Sequence, residues 1–250
     1  MKYYLFLDLD DTIFQTKRKC FQNELLHTAA YGRDGLPMSF MTSKQLNFFS
    51  TMDKEITIIP TTARNYESFK RVDLNFRHCI ILDFGGIILM PNRDLDTTWF
   101  EKIREYSKNI RSALCDIQKD ICLFIESQQL EAFSRIIEDF ELPLYIVVKS
   151  RQGNINALDI VRQHIISIID TNQFYIHFND NNLAIIPHFL NKLNAVEYII
   201  NKYIETQQES FLTFGMGDSL TDIPFMKACD YMIMPKNSQI WRNIDDSKRI

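Results

Sequence analysis

Three aspartates stand within four positions directly after the first apolar segment of the chain. They are Asp8, Asp10 and Asp11, in the stretch LFLDLDDT. Carboxylates this close repel one another, so they stay ionised only in a solvated turn or beside a cation. A pair of them could also act as a nucleophile and a proton donor. Taken alone, the stretch is compatible with an ordinary capped turn as well.

A second acidic segment lies near the carboxyl end of the sequence. Asp218 and Asp222 occur in GMGDSLTD, directly after the apolar residues 211–214. Gly215 and Gly217 would keep this loop tight beside a bound ion.

Hydroxyl and cationic side chains follow two other segments. The stretch TTAR, residues 61–64, follows the apolar run 56–59. Lys192 stands near the start of a helical pattern over residues 191–204. Thr62 could contact a phosphate or serve as a helix N-cap, and Lys192 could supply charge to a site or simply be a solvated residue at a helix start.

Short apolar runs alternate with helical patterns in the two outer parts of the sequence, which is typical of a parallel sheet with crossover helices. The predicted strands are residues 3–7, 56–59, 79–82, 211–214 and 231–234, with a glycine turn leading into a strand at 84–90. The predicted helices are residues 43–52, 65–71, 191–204 and 220–229. We therefore expect an α/β fold whose core, residues 1–83 and 190–250, is a Rossmann-like, doubly wound parallel sheet.

Residues 84–189 interrupt this core and have a different pattern. The predicted helices here are 97–114, 130–140 and 155–169, and the predicted strands are 121–125, 144–148, 174–178 and 183–186. The last two strands flank FNDNN, which is typical of a hairpin turn. The order predicts a small inserted α+β domain with an antiparallel sheet.

The candidate residues of the core should meet at one place, because the carboxyl ends of parallel strands lie at one edge of a sheet. This edge would carry Asp8, Asp10, Asp218 and Asp222, with Lys192 nearby. Several close carboxylates require a counter-cation. Oxygen ligands with room left for water and phosphate suit Mg²⁺, so the pattern predicts a magnesium site that binds a phosphate.

The segments DLDDT, TTAR and GDSLTD, with Lys192 before the last of them, resemble the four motifs of the haloacid dehalogenase superfamily. The position of the insert resembles the members with a type IIB cap, which are the Cof-type and sucrose-phosphatase-like phosphatases. The resemblance spans the whole chain, and its specific part is DxDxT followed by GDSxxD. It implies that residues 84–189 are a cap domain.

The resemblance implies four catalytic residues. Asp8 corresponds to the nucleophile that forms an aspartyl-phosphate, and Asp10 to the general acid and base. Thr62 corresponds to the hydroxyl that holds the transferring phosphoryl group. Lys192 corresponds to the cation that neutralises this group and orients Asp8.

The resemblance also implies a metal site for Mg²⁺. Its members are Asp8, the backbone carbonyl of Asp10, and Asp218, with Asp222 either in an outer position or holding Lys192. Thr12 would fix the loop.

The motifs depart from the common pattern of the superfamily at four places. At one of them Ser219 stands where many relatives have glycine, a change that should preserve metal binding. Either Thr61 or Thr62 could be the motif threonine, and Thr62 is chosen because Arg64 then falls in register. Asp11 replaces a common glycine and is expected to point outward. Thr221 stands where many relatives have asparagine, a change that should preserve metal binding.

Five polar residues are candidates for substrate contacts: Thr12, Arg64, Lys149, Arg151 and His177. Arg64 is equally compatible with a salt bridge. The three residues of the insert are also compatible with a polar surface.

The composition excludes several classes of protein. A net charge of −4 over 250 residues provides no basic surface for nucleic acid. Five scattered cysteines without a C-x-x-C spacing favour reduced thiols in a cytoplasmic protein over a disulfide framework. The apolar segments are too short for a membrane span. We expect a monomer or a weak homodimer.

These observations lead to one main hypothesis and two alternatives. The main hypothesis is a magnesium-dependent phosphatase that acts on a small phosphorylated metabolite, such as a sugar phosphate. The first alternative is a phosphomutase of the phosphomannomutase type, although the insert has no arginine cluster for a second phosphate. The second is a non-catalytic binding or stress-response module that has kept the shape of the site.

Overall fold

The computed structural model describes residues 1–20, 24–151, 153–179, 181–236 and 238–247. The chain forms two compact units. The first, called the core unit below, comprises Met1–Asp96 and the chain from Asn191 onward. The second, called the inserted unit, is Thr97–Leu190.

The elements are numbered here in chain order. The strands are β1 (Lys2–Leu7), β2 (Gln15–Thr16), β3 (Leu26–Tyr31), β4 (Pro37–Thr42), β5 (Thr57–Pro60), β6 (Ile80–Leu82), β7 (Ile87–Leu89), β8 (Ala132–Asp139), β9 (Leu142–Ser150), β10 (Phe174–Asn179), β11 (Asn182–Pro187), β12 (Phe211–Met216) and β13 (Tyr231–Ile233). The α-helices are α1 (Ser43–Glu55), α2 (Tyr66–Phe69), α3 (Thr97–Ser127), α4 (Ile155–Ile168), α5 (Lys192–Ile199), α6 (Ile223–Lys227) and α7 (Gln239–Ser247). A π-helical turn, Ile200–Ile204, continues α5.

A four-stranded parallel sheet forms the centre of the core unit, in the order β13-β12-β1-β5. Four consecutive residues of β1, from Tyr4 to Leu7, are buried. Successive side chains of a strand point to opposite faces of the sheet, so four consecutive buried residues show that both faces of the sheet are packed against other parts of the protein. The predicted α/β core with a parallel sheet is confirmed.

Hydrogen bonds beyond the ladders hold the carboxyl ends of three strands together. The backbone N–H of Asp8, which follows β1, donates to the carbonyl of Met216 at the end of β12 (2.9 Å). The N–H of Thr61, which follows β5, donates to the carbonyl of Leu7 (2.8 Å). The three motif-bearing segments therefore begin side by side.

A small antiparallel sheet, β2-β4-β3, lies between β1 and α1 in sequence. No element was expected in this region from the sequence. Its two longer strands are joined by a turn in which Gly32 donates to the carbonyl of Leu36 (2.8 Å) and Gly35 has a φ of 77°. The strands LHTAAY and PMSFMT lack a regular apolar alternation, so periodicity could not identify them.

The inserted unit contains a four-stranded antiparallel sheet in the order β10-β11-β9-β8. One face packs against α3 and α4, through a cluster that includes Leu114, Ile146, Leu158 and Ile185. The predicted α+β character of the insert and the predicted hairpin of β10 and β11 are confirmed. Asp180, which was named as a possible turn residue, lies outside the described residues.

Two predictions within the insert are wrong. Residues 121–125 are not a strand but the last part of the 31-residue helix α3, where Ile121 and Ile125 are buried one turn apart and Leu123 is exposed. Residues 130–140 are not a helix, because β8 pairs along its length with β9. A short apolar run does not distinguish a strand from a buried helix, and pairing with the neighbouring strand β9 overrides local propensity in β8.

The predicted start of the insert at residue 84 is also too early, since the core unit extends to Asp96. Strand β7 returns antiparallel to β6. The N–H of Asp96 then donates to the carbonyl of Ile88 (2.9 Å), and its buried carboxylate accepts hydrogen bonds from the hydroxyls of Tyr198 and Tyr203. These bonds keep the segment before Thr97 with the core unit.

Among the described residues, no helix is both long and apolar enough to cross a membrane.

Candidate active site

Three buried carboxylates lie together at the carboxyl edge of the parallel sheet. They belong to Asp8, Asp218 and Asp222, and one oxygen from each lies within 4.8 Å of the others. Strands β1 and β12 are parallel neighbours with Leu7 opposite Met216. This register brings the residues that follow each strand to the same place, as the sequence predicted.

Lys192 supplies positive charge inside this cluster. Its Nζ donates to Asp8 Oδ1 (2.6 Å) and to Asp222 Oδ1 (2.7 Å), and its side chain is buried. Asn191 caps the helix by accepting from the N–H of Asn194 (2.8 Å), so α5 begins at Lys192. Burial lowers the pKa of Lys192, but the charges of Asp222 and Asp8 outweigh it, so the net pKa is raised. The lysine is therefore a cation.

Burial raises the pKa values of two of these carboxylates, those of Asp8 and Asp218. Burial raises the pKa of Asp8 well above its ordinary value, Lys192 opposes this, and Asp222 and Asp218 add to it. Burial, followed by the charges of Asp222 and Asp11, raises the pKa of Asp218 to about 7. The single positive charge of Lys192 thus does not balance the negative charge of three carboxylates. A group of oxygen donors that still needs positive charge is suited to bind Mg²⁺.

Hydrogen bonds from the adjoining loops orient the carboxylates. Thr12 Oγ1 donates to Asp8 Oδ2 (2.7 Å) and lies 3.3 Å from Asp218 Oδ1. The N–H and the hydroxyl of Ser219 both donate to Asp222 Oδ2, at 3.0 and 2.7 Å. This role of Ser219 was not predicted from the sequence, although the S-x-x-D spacing is a known sign of such a contact.

Gly217 is required by the close packing of this loop. A Cβ at this position would lie 2.5 Å from the Cβ of Asp222. Only glycine therefore lets the segment after β12 pass so close to Asp222.

Asp10 lies outside the carboxylate cluster of the described residues. Both of its oxygens accept hydrogen bonds from Arg64, through Nε (2.6 Å) and Nη2 (2.7 Å). The side chain of Asp10 is half exposed, whereas that of Arg64 is buried. Of the four carboxylates expected at this edge, Asp8, Asp218 and Asp222 lie together, whereas that of Asp10 pairs with Arg64. The role of the backbone carbonyl of Asp10 stays a prediction.

Arg64 is therefore a salt-bridge partner, which was one of the two roles left open for it. Its guanidinium lies 5.1 Å from the ring centroid of Phe14, and its Nη1 donates to the carbonyl of Ser68 (3.1 Å). These contacts fix the guanidinium, and through it the carboxylate of Asp10.

Thr61 and Thr62 are both buried beside the cluster-bearing strand. The Thr62 hydroxyl accepts from the N–H of Arg64 (3.1 Å), and the Thr61 hydroxyl donates to the carbonyl of Ile59 (3.2 Å). The cap of α2 is Asn65, so the alternative role of Thr62 as a helix N-cap is wrong. A contact between either hydroxyl and phosphate stays a prediction.

Asp11 occupies a backbone position that favours glycine. Its φ is 63°, in the left-handed region, which aspartate tolerates better than most residues. Its carboxylate pairs with Lys19 (2.6 Å). This conformation explains why a glycine would be common at this place in the motif.

Three candidate substrate-binding residues lie in the inserted unit. Lys149 on β9 and His177 on β10 belong to the sheet face opposite the one that packs on α3 and α4, as the pairings of β8 to β11 show. Arg151 follows β9 and is exposed, and its N–H donates to the carbonyl of Glu131 (3.0 Å). Their contact with a substrate stays a prediction.

No family model matches this sequence, and no curated protein matches it significantly. Solved structures are similar over nearly the whole chain. The C-terminal domain of Candida albicans trehalose-6-phosphate phosphatase has 14% identity and a TM-score of 0.57, covering 100% of this chain and 78% of that one. The sucrose-phosphatase of Synechocystis has 16% identity and a TM-score of 0.50, covering 99% of this chain and 98% of that one.

A third similar structure is the N-terminally truncated IMP-nucleotidase of Plasmodium falciparum. It has 13% identity and a TM-score of 0.52, covering 94% of this chain and 66% of that one. At such identities the likeness concerns the fold. This chain shares the fold of these structures. The assignment of its motifs to the haloacid dehalogenase superfamily stays a prediction.

Proposed function

We propose that this protein is a magnesium-dependent phosphatase that hydrolyses a small phosphorylated metabolite through an aspartyl-phosphate on Asp8. One observation carries the proposal. Asp8 is buried at a strand end with one oxygen bonded to Lys192 and the other to Thr12, beside Asp218 and Asp222. A carboxylate held in this way before the substrate binds is suited to act as a nucleophile.

The residues can be assigned to steps that balance. Asp8 attacks phosphorus and forms an acyl phosphate, while Asp10 gives a proton to the departing alkoxide. Asp10 then takes a proton from water, which attacks the acyl phosphate, so that inorganic phosphate leaves and Asp8 is restored. Lys192 balances negative charge on Asp8 throughout.

Asp8, Asp218 and the backbone carbonyl of Asp10 would hold Mg²⁺, and Asp222 would keep Lys192 in place. When bound, the ion supplies positive charge for the phosphate and the carboxylates. The fit rests on three buried carboxylates that lie within 4.8 Å of one another and have one lysine between two of them as a counter-charge.

A sugar phosphate is the substrate class that we propose. Two of the similar structures carry the names of sugar-phosphate phosphatases, which supports this class. The name of the third is a nucleotidase, so nucleoside monophosphates are the natural comparison.

Hydrolysis of p-nitrophenyl phosphate with and without Mg²⁺ tests the proposal. We expect turnover that requires the ion and is lost in Asp8→Asn. The matched control is Asp116→Asn, an exposed position on α3, which should keep wild-type turnover. Wild-type turnover in Asp8→Asn would show that the nucleophile is misassigned.

A panel of sugar phosphates and nucleoside monophosphates then tests the substrate class. We expect release of inorganic phosphate from a sugar phosphate in preference to a nucleotide. Conversion of a sugar phosphate into an isomeric monophosphate would favour the phosphomutase. Magnesium binding without turnover of any compound would favour the non-catalytic module.

A further inference from the structure

The inserted unit contains a pocket of its own, called the insert pocket below. It lies between the first half of α3 and the turn that joins β8 to β9, and it holds about 240 Å³. Its main lining residues are Phe100, Arg104, Lys108, Arg111, Phe140 and Glu141. All of them belong to one compact unit, and none is used by the proposed reaction.

Three cations line one side of the insert pocket, so the expectation that the insert has no arginine cluster for a phosphate is wrong. Arg104, Lys108 and Arg111 recur every three or four residues along α3, so they share a face of the helix. All three are exposed, and like charges at this spacing repel one another. Arg104 pairs with Glu101 on the same helix, but an exposed pair of this kind exchanges readily for another anion.

Two aromatic rings form the other side. Phe100 on α3 and Phe140 in the turn meet edge to face, with their centroids 6.5 Å apart. The buried hydroxyl of Ser107 between these elements donates to the carbonyl of Pro143 (2.8 Å) and ties the helix to the hairpin. The pocket therefore combines an apolar wall with a basic one.

The turn that presents Phe140 has a sequence poorly suited to its backbone. Asp139 pairs with Leu142, so Phe140 and Glu141 form a two-residue hairpin loop. Their φ values are 50° and 66°, a conformation that favours Asn-Gly and that a bulky residue such as phenylalanine rarely adopts. Strained residues that line a pocket point to a role for the pocket.

We propose that the insert pocket binds an aromatic monophosphate. The ring of the ligand would lie against Phe100 and Phe140. Its phosphate would be bound by Arg104, Lys108 and Arg111, because a guanidinium can donate two parallel hydrogen bonds to phosphate oxygens. The volume suits a ligand with one ring rather than a drug-sized molecule, and the carboxylate of Glu141 at the pocket disfavours a polyphosphate.

Calorimetric titration with phenyl phosphate tests this assignment. The full chain with Asp8→Asn is used, so that the probe is not consumed if the chain is a phosphatase. We expect saturable binding that weakens at least tenfold when Arg104→Ala and Arg111→Ala are added. Lys119→Ala, on an exposed part of the same helix outside the pocket, should leave the affinity unchanged.

Component ligands and a turn variant complete the test. Inorganic phosphate and phenol should each bind at least tenfold more weakly than phenyl phosphate. Replacing Phe140 and Glu141 by Asn and Gly should raise or preserve the midpoint of thermal unfolding, since these residues suit the turn, and should weaken binding at least fivefold.

Three outcomes would overturn the assignment. They are the absence of saturable binding of phenyl phosphate, an affinity that the paired arginine substitutions do not change, and an affinity for inorganic phosphate equal to that for phenyl phosphate. Arg104 and Arg111 lie in the inserted unit, so the effect of their substitution separates binding in the insert pocket from binding at the candidate active site. The proposed hydrolysis is tested separately, by turnover.

Discussion

Arg64 donates hydrogen bonds to both oxygens of Asp10, from Nε at 2.6 Å and from Nη2 at 2.7 Å. The guanidinium of Arg64 is buried and the carboxylate of Asp10 is half exposed. Arg64 therefore sets the orientation of the Asp10 side chain. To act as a proton donor, Asp10 must lose one of its hydrogen bonds from Arg64 and form one to the substrate instead. We therefore predict that Arg64 is a positioning residue whose effect on the reaction passes through Asp10.

Substitution of Arg64 should reduce kcat more than it changes KM. Arg64→Lys keeps the charge but loses the paired geometry, and a misplaced catalytic group can cost about 100-fold in rate. We expect a fall in kcat of about 10- to 100-fold, measured as steady-state hydrolysis of p-nitrophenyl phosphate. A raised KM with unchanged kcat would instead assign Arg64 to substrate binding. Arg71→Lys, which alters an arginine bonded to the carbonyls of Tyr31 and Glu67, is the control.

Removal of the Lys192 charge should strongly destabilise the metal-free protein. Lys192→Met leaves Asp8 and Asp222 buried without their partner, and breaking a buried pair costs roughly 3–5 kcal/mol. Urea denaturation without Mg²⁺ measures this loss in the free energy of unfolding. Adding Asp222→Asn to Lys192→Met should recover part of it, because one unpaired charge is removed. An unchanged unfolding midpoint in Lys192→Met would contradict the pairing, and Lys70→Met at an exposed pair should change little.

Binding of Mg²⁺ should depend on pH with a midpoint near the raised pKa of Asp218, about 7. The carboxyl must be ionised to bind a cation. Below this pH the ionised fraction falls, so the apparent affinity should drop by up to about tenfold per pH unit, whereas above it the affinity should level off. Calorimetric titration with Mg²⁺ between pH 5.5 and pH 8.5, a window of about 1.5 units on either side of this pKa, measures the trend. An affinity independent of pH would contradict the assignment of Asp218 as a ligand.

Asp11→Asn should move that midpoint to lower pH. The charge of Asp11 contributes to raising the pKa of Asp218, after burial and Asp222. Removing the negative charge of Asp11 therefore lowers the pKa of Asp218, so that Asp218 ionises at lower pH. The same calorimetric series measures the shift, and a midpoint that moved upward would show that Asp11 does not act on Asp218 through its charge.

Gly85→Ala should destabilise the protein far more than Gly35→Ala. Both glycines have positive φ, 98° and 77°, so both substitutions carry a backbone cost of about 1–2 kcal/mol. A Cβ at Gly85 would also lie 2.5 Å from the carbonyl oxygen of Asn191, whereas one at Gly35 would meet nothing within 4 Å. We expect an additional loss of roughly 1–3 kcal/mol for Gly85→Ala, measured by urea denaturation. An equal loss of unfolding free energy in the two variants would mean that the backbone at Asn191 can shift to make room for the added Cβ.

Much of the site could be predicted from short segments. Asp8 and Asp218 each follow an apolar strand, and the rule that parallel strands end at one edge was enough to bring them together. The pairing of Asp10 with Arg64 joins residues 54 positions apart. Since each side chain alone was compatible with several partners, no local pattern could select this pair.

The sequence by itself determined the motif residues, the parallel core and the α+β character of the insert, because each depends on contiguous patterns of apolar and charged residues. Only the tertiary structure decided that residues 121–125 continue a helix and that β8 is a strand, since burial against α4 and pairing with β9 outweigh local propensity there. The tertiary structure also decided which aspartates are buried together and which one pairs with a residue outside their cluster. Asp8, Asp218 and Asp222 gather around Lys192, and Asp10 turns to Arg64, because each buried charge must meet an opposite one that the chain supplies from elsewhere in the fold.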